Sequence, residues 1–199
     1  KYTILQPERP RGPEFLDALA ALEPEVSVVA AYGHILVDEV LKLPTHGSIN
    51  VHASLLPELR GAAPIAWAIA RGADTTGVTI MRMVREMDAG PILLQAEEPI
   101  TEDDTRSSLT ARLSELGAEL LVEALALMEV DALEERAQDD SKATFAPKVG
   151  REVARIDWSM PAAAVGCHVR AMDRVPGAWT EVRGQPIKLF SPTVSGGHA

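Results

Sequence analysis

The sequence predicts an α/β fold with a mainly parallel sheet. Short apolar runs of strand character alternate with segments of helical periodicity. One of these segments, Thr105 to about Val130, is long enough to cover a sheet face, with Leu109, Leu113, Leu116, Leu120, Leu121 and Leu127 recurring at three- and four-residue steps. The 199 residues are 46% hydrophobic and 24% charged, enough apolar side chains for a sizeable core.

Each element has its own signal. Pro13 to Leu22 reads as an amphipathic helix, with Phe15, Leu16, Leu19 and Leu22 on one stripe. Val26 to Ala31 is a short buried strand, and Val37 to Leu43 a brief helix stopped by Pro44. Gly47 to His52 forms a second strand. A Pro- and Gly-rich loop then leads to a helix beginning near Pro64, a residue suited to the first helical turn. Gly77 to Val84 and Ile92 to Glu97 are the third and fourth strands, expected to pair antiparallel. After the long helix, Asp131 to Asp140 is acidic and turn-prone, as a linker would be. A helix from Pro161 to Met172 follows, then a hairpin of Trp179–Arg183 and Pro186–Phe190 turning at Gly184-Gln185. The final Ser195 to Ala199 reads as a frayed tail.

Composition excludes several classes. A mean hydropathy of +0.02 with no long apolar run does not describe a membrane-spanning chain. The single cysteine, Cys167, cannot form an internal disulfide and is expected to be a small buried helix residue. The net charge of −10 is unevenly spread. Residues 1–140 carry 11 Lys/Arg against 25 Asp/Glu, whereas residues 141–199 carry 8 against 4. An acidic body followed by a mildly basic region suggests two modules, the second able to meet phosphate. No P-loop, Gly-rich dinucleotide fingerprint or metal-ligand spacing is present.

The candidate chemistry lies at a strand end. Asn50 and His52 are two apart on the second strand, so their side chains project from one face. Asn can donate to a developing oxyanion, and His can exchange a proton near neutral pH. The loop Ser54-Leu55-Leu56-Pro57 that follows could hold a flat heterocycle with free backbone groups. Asp88, in the turn between the third and fourth strands, could orient the His52 ring and raise its pKa. Each feature also has a structural reading. An Asn-x-His strand end can simply satisfy loop carbonyls, and Asp before Ala-Gly is an ordinary turn former.

Taken together, Ser48-Ile49-Asn50-Val51-His52-Ala53-Ser54-Leu55-Leu56-Pro57, Arg60-Gly61-Ala62-Ala63-Pro64-Ile65, Thr76-Gly77-Val78-Thr79-Ile80-Met81 and Met87-Asp88-Ala89-Gly90 closely resemble the methionyl-tRNA formyltransferases, a branch of the folate-dependent formyltransferase family. Ala143-Thr144-Phe145-Ala146-Pro147-Lys148 and Ala154-Arg155-Ile156-Asp157-Trp158 resemble the entry to the family's second domain. The likeness runs from about Tyr2 to Phe190.

The resemblance implies a Rossmann-like formyltransferase domain over residues 1–130, a linker over 131–150, and the start of an OB-type β-barrel domain for tRNA binding over 151–199. It implies formyl transfer from 10-formyltetrahydrofolate, as co-substrate and without a metal, to the amino group of methionyl initiator tRNA. Asn50, His52 and Asp88 would be the catalytic trio, with Asn50 and a protonated His52 stabilising the oxyanion. Ser54, Leu55, Leu56 and Pro57 would line the folate pocket together with Leu36, in the segment Gly33-His34-Ile35-Leu36. A cytoplasmic monomer with no membrane partner is expected.

Against the family pattern, the first βαβ unit is absent and the barrel stops after one hairpin, so the chain is expected to be a fragment. Glu58-Leu59 stands where the family usually has a basic and an aromatic residue. Two other functions compete: formyl transfer to a sugar-nucleotide amine, and a non-catalytic folate- or RNA-binding remnant.

Overall fold

The structure is a computed structural model that describes residues 2–193, so the expected tail at Ser195–Ala199 lies outside the described residues. Its first sheet has four strands in sequence order: β1 (Ser27–Ala30), β2 (Ser48–His52), β3 (Thr75–Arg82) and β4 (Ile92–Pro99). Helices α1 (Pro13–Ala20) and α2 (Asp38–Leu41) flank β1, α3 (Pro64–Ala70) lies between β2 and β3, and α4 (Arg106–Glu129) follows β4.

The sheet is mixed rather than mainly parallel. Only β1 and β2 run parallel, whereas β2–β3 and β3–β4 are antiparallel. A parallel neighbour needs a crossover that carries the chain back to the starting end of the sheet. The α2 segment makes that return between β1 and β2. Helix α3 has seven residues, about 10 Å at 1.5 Å per residue, and it packs on the later helix α5 (Ala162–Ala171). β3 enters beside β2 in the opposite sense.

Helix α4 starts on a reciprocal cap. The Thr105 hydroxyl accepts from the Ser108 N–H, and the Ser108 hydroxyl oxygen accepts from the Thr105 N–H. Its buried residues, Leu109, Leu113, Gly117, Leu120 and Ala124, form one stripe against the sheet. They join Ile49, Val78 and Ile80 in a core that continues through Ile69 into Val169, Met172, Ala178 and Trp179. Helix α1 buries no residue fully: Phe15, Leu16 and Leu19 are half-buried and Leu22 is exposed.

The region expected to open a barrel contains α5 and the two-stranded ladder of β5 (Ala178–Val182) and β6 (Gln185–Leu189). The hairpin turns at Arg183-Gly184, one residue earlier than expected. Both residues have positive φ, 51° and 76°, as the primed turn that matches strand twist requires. Cys167 on α5 is half-buried with a free thiol.

Residues 131–150, expected as a linker, meet β4 at one point and the loop after β2 at another. Arg136 forms an antiparallel bridge with Ile92, and Phe145 a parallel bridge with Arg60. Among the described residues, no helix is long and apolar enough to cross a membrane.

One charged cluster ties the β4–α4 corner to α5. The Asp104 carboxylate, 4% exposed, accepts from Arg112, from the Ser108 hydroxyl and from the Thr101 N–H and hydroxyl. Arg170 on α5 donates to the Asp104 carbonyl. The Arg112 guanidinium, helped by these hydrogen bonds, holds the Asp104 carboxyl well below the usual carboxylate range. Its stabilising contribution is therefore complete above the unfolded pKa of about 3.9 and fades as pH falls through the lowered folded value. Asp104→Ala should cost about 1–3 kcal/mol by leaving buried donors unpaired, measured by urea unfolding at pH 7. The gap between wild type and variant should close as the titration is repeated below pH 4.

Candidate active site

β2 places Asn50 and His52 on one face, with Asn50 opposite Met81 and His52 opposite Thr79 across the β2–β3 ladder. β1 runs parallel to β2, with Ala30 beside Val51, so the loop after β1 leaves the sheet at the same end as His52. That loop exposes Tyr32 and Ile35, with Leu36 half-buried.

Bringing Asp88 to this place requires a reversal. β3 passes His52 at Thr79 and continues to Arg82, beside Ile49, so the strand leads away from the imidazole by about 10 Å at 3.4 Å per residue. Residues 83–91 then fold back. The loop is pinched at Gly90, where a Cβ would lie 1.9 Å from the Arg82 carbonyl oxygen. Asp88 takes a left-handed φ of 52°, a conformation that Asp tolerates better than most residues. Its Oδ2 ends 3.7 Å from His52 Nδ1 and accepts the Gly61 N–H at 2.8 Å. Gly61 must be glycine: its φ is 123°, and a Cβ would meet the Ala146 carbonyl oxygen at 2.7 Å.

The His52 ring is 5% exposed, and its Nε2 lies 3.1 Å from the Leu59 carbonyl oxygen. A carbonyl only accepts, so Nε2 carries a hydrogen and neutral His52 presents a bare Nδ1 toward Asp88. At 3.7 Å, Nδ1 and Oδ2 are too far apart for a direct hydrogen bond. A third polar atom about 2.8 Å from each fits beside the line joining them. Burial pushes the His52 pKa down, while the Asp88 charge and the Leu59 carbonyl push it up by less. The resting imidazole is therefore neutral at pH 7, and the expectation that Asp88 raises the His52 pKa is corrected: desolvation outweighs the carboxylate. The Asn50 side chain is half-buried and makes no hydrogen bond among the described residues.

The loop expected to line a pocket has its polar groups largely engaged inside the protein. Ser54 is fully buried, and its hydroxyl donates to the Glu58 carbonyl. Thr79 donates to the Ser54 carbonyl and accepts from the Leu56 N–H, and the Gln95 amide donates to the Leu56 carbonyl. Leu56 packs with Met81 and Ile92, while Leu55 and Pro57 are half-buried. The side chains of Ser54 and Leu56 thus shape the loop from within, while Leu55 packs on Gly77 of β3 and Pro57 stays half-buried.

Sequence reasoning missed a second tier of residues. Arg60 is 6% exposed and donates to the Gln138 side-chain oxygen at 3.0 and 2.7 Å, and to Asp140 at 2.7 Å. The Gln138 amide nitrogen donates onward to the Asp88 carbonyl at 2.8 Å and the Gly90 carbonyl at 2.7 Å. Thr144 meets the same loop: its hydroxyl accepts the Leu59 N–H and its carbonyl the Arg60 N–H. Nothing in the spacing signals these contacts, since Arg60 and Gln138 are 78 residues apart. Among the described residues, no three His, Cys, Asp or Glu side chains gather in a metal-binding arrangement.

A mixed α/β sheet with an Asn-x-His strand end faced by a returned carboxylate gathers an amide donor, a base and a carboxylate at one place, an arrangement suited to the class of enzymes that transfer a group at a carbonyl. Comparison narrows that class. Residues 1–125 match the formyl transferase family and residues 148–198 match the formyl transferase C-terminal domain, so the chain belongs to the formyl transferase family. It is 45% identical over 188 residues to a methionyl-tRNA formyltransferase of Dictyoglomus turgidum, covering 94% of this chain and 60% of that protein. It is 50% identical over 187 residues to one from a Synechococcus strain, covering 94% of this chain and 58% of that protein. The chain thus spans about 60% of the length of the curated relatives it matches. Among solved structures, HypX from Aquifex aeolicus in complex with tetrahydrofolic acid superposes with a TM-score of 0.76 at 25% identity, covering 88% of this chain and 30% of that one.

Two outcomes follow from the site. Between the lowered His52 pKa and about 6.5, the unfolded chain binds a proton that the fold excludes, so stability rises with pH through that window. Melting temperatures should fall from pH 7 to pH 5.5, and His52→Gln should flatten that part of the curve. Gly61→Ala should cost about 2 kcal/mol or more, through a strained φ and a backbone clash, read as a lowered urea midpoint.

Proposed function

We propose that the protein transfers a formyl group from 10-formyltetrahydrofolate to the amino group of methionyl initiator tRNA. The observation that carries this reading is the approach of the Asp88 carboxylate to a buried, neutral His52 on the face shared with Asn50. The methionyl-tRNA formyltransferases 45–50% identical to this chain support it.

In this reading the amine attacks the formyl carbon. Asn50, with its amide uncommitted, donates to the oxygen as negative charge grows there. His52 Nδ1 accepts a proton from the attacking nitrogen, directly or through a bridging water. Asp88 stabilises the imidazolium that results, while the Leu59 carbonyl keeps the ring in place through Nε2–H. The proton then passes to the departing folate nitrogen as its bond to the formyl carbon breaks. A new C–N bond replaces the old one, and the net proton transfer runs from amine to folate.

The fit for a folate rests on the strand-end loops. Tyr32, Ile35 and Leu36 after β1, with Leu55 and Pro57 after β2, offer an apolar margin beside His52 for a flat ring. The phosphates of tRNA would meet the exposed cations that follow the catalytic region: Lys148, Arg151, Arg155, Arg174, Arg183 and Lys188. Arg151 and Arg155 are held over the Trp179 ring, 4.7 and 5.5 Å from its centre. In this division residues 1–130 carry the chemistry, 131–150 connect, and 151–199 begin the tRNA-binding part.

The test uses full-length protein with 10-formyltetrahydrofolate and, in parallel, methionyl initiator tRNA or an amino-sugar nucleotide. Formylated methionyl-tRNA is expected, and formylation of the sugar alone would overturn the proposal. Asp88→Asn and His52→Ala should each lower kcat by about 10²–10⁴-fold while folate binding persists. Unchanged turnover would remove both residues from the chemistry.

A further inference from the structure

We propose that Gln138, anchored by the buried Arg60 guanidinium, is a positioning residue that holds the returning 83–91 loop so that Asp88 faces His52. The inference rests on the roles given to His52 and Asp88 above, and its test has a readout independent of them.

Three observations converge. First, β3 carries the chain away from His52, so the approach of Asp88 is not a product of strand geometry and needs an outside restraint. Second, the Gln138 amide nitrogen supplies that restraint by donating to two carbonyls of the loop, at Asp88 itself and at Gly90 where the loop is pinched. These bonds fix the backbone on either side of Ala89, next to a residue in the left-handed region that would otherwise relax. Third, the amide is fixed in turn. Its oxygen accepts two N–H groups from Arg60, and Arg60 is locked by Asp140 and by backbone bonds to Thr144 and Ala146.

This division of labour selects glutamine. One side chain must accept from a guanidinium and donate to two carbonyls, which only an amide of that length does here. A glutamate could accept from Arg60 but would present no donor to the loop. The 131–146 segment also reaches the other side of the site: Arg136 donates to the Gln95 side-chain oxygen, and the Gln95 amide holds the Leu56 carbonyl.

The experiment compares full-length wild type with Gln138→Met, Asp88→Asn and the double variant. Methionine is similar in size and changes no charge near His52, where Asp88, Arg60 and Asp140 all remain. The readout is the His52 ring pKa by histidine NMR titration, with the resonance assigned by His52→Gln. If Gln138 holds Asp88 in place, the methionine variant loses part of the carboxylate's upward pull. Its His52 pKa should then fall by about one pH unit, with no further fall when Gln138→Met is added to Asp88→Asn. Turnover should drop about tenfold or more, with KM for the formyl donor within about threefold, as expected for a lost alignment of reacting groups.

An unchanged His52 pKa in a folded Gln138→Met protein overturns the proposal, whatever happens to activity. Gln138→Asn keeps an amide one methylene too short to span Arg60 and both carbonyls, and is used if the methionine variant does not fold. Failure of both to fold assigns Gln138 to structure alone and also overturns it. If wild type formylates neither acceptor while the His52 pKa still responds, the functional reading fails and the positioning role stands.

Discussion

Removing a guanidinium from water costs several kcal/mol unless its donors find good partners, and the way Arg60 meets that requirement organises the site. The group is almost fully enclosed, and it is satisfied by Gln138 and Asp140, two residues from a segment distant in sequence. That segment must therefore lie beside the β2 end that carries Asn50 and His52. Once there, it brings the Gln138 amide to the loop carrying Asp88, and Thr144 and Ala146 to the turn after Leu59. The buried charge specifies the arrangement; its net contribution to stability need not be large.

The imidazole shows the complementary effect. Enclosure alone favours a neutral ring, and the carboxylate 3.7 Å away favours a charged one. A base suited to receiving a proton during a reaction needs both influences: low proton occupancy at rest, and stabilisation of the cation once formed. Burial wins at rest because the ring is almost fully enclosed, while Asp88 stops short of hydrogen-bond distance.

Much of this was legible in the chain, for identifiable reasons. The α4 positions Leu109, Leu113 and Leu120 and the Asn50/His52 pair follow from the helical and strand periods, which are local properties, whereas Gly117 and Ala124 complete the buried stripe in place of the expected Leu116, Leu121 and Leu127. The antiparallel entry of β3 was not legible, because it depends on where α3 packs and not on any signal within β3. The hairpin turn was misplaced by one residue, since Gly184 suits either position and the positive φ of Arg183 decides. The internal engagement of Ser54 and Leu56 depends on Thr79 and Gln95, which carry no local mark of that role. Residues 131–140 read as the start of a 131–150 linker because they are acidic and turn-rich. Their contacts join positions up to 85 residues apart, beyond the reach of periodicity or turn chemistry.

The bridge from Arg136 to Ile92 and that from Phe145 to Arg60 bear on how the molecule could be divided. An excised N-terminal part ending at the last turn of α4 would keep Asn50, His52 and Asp88 yet strand a guanidinium in the interior. A cut after Ala146 would carry every partner of Arg60 with it. The covalent boundary between the two halves and the boundary of the working unit are thus separated by more than a dozen residues, and a chimera joined at the first would inherit a site without its frame.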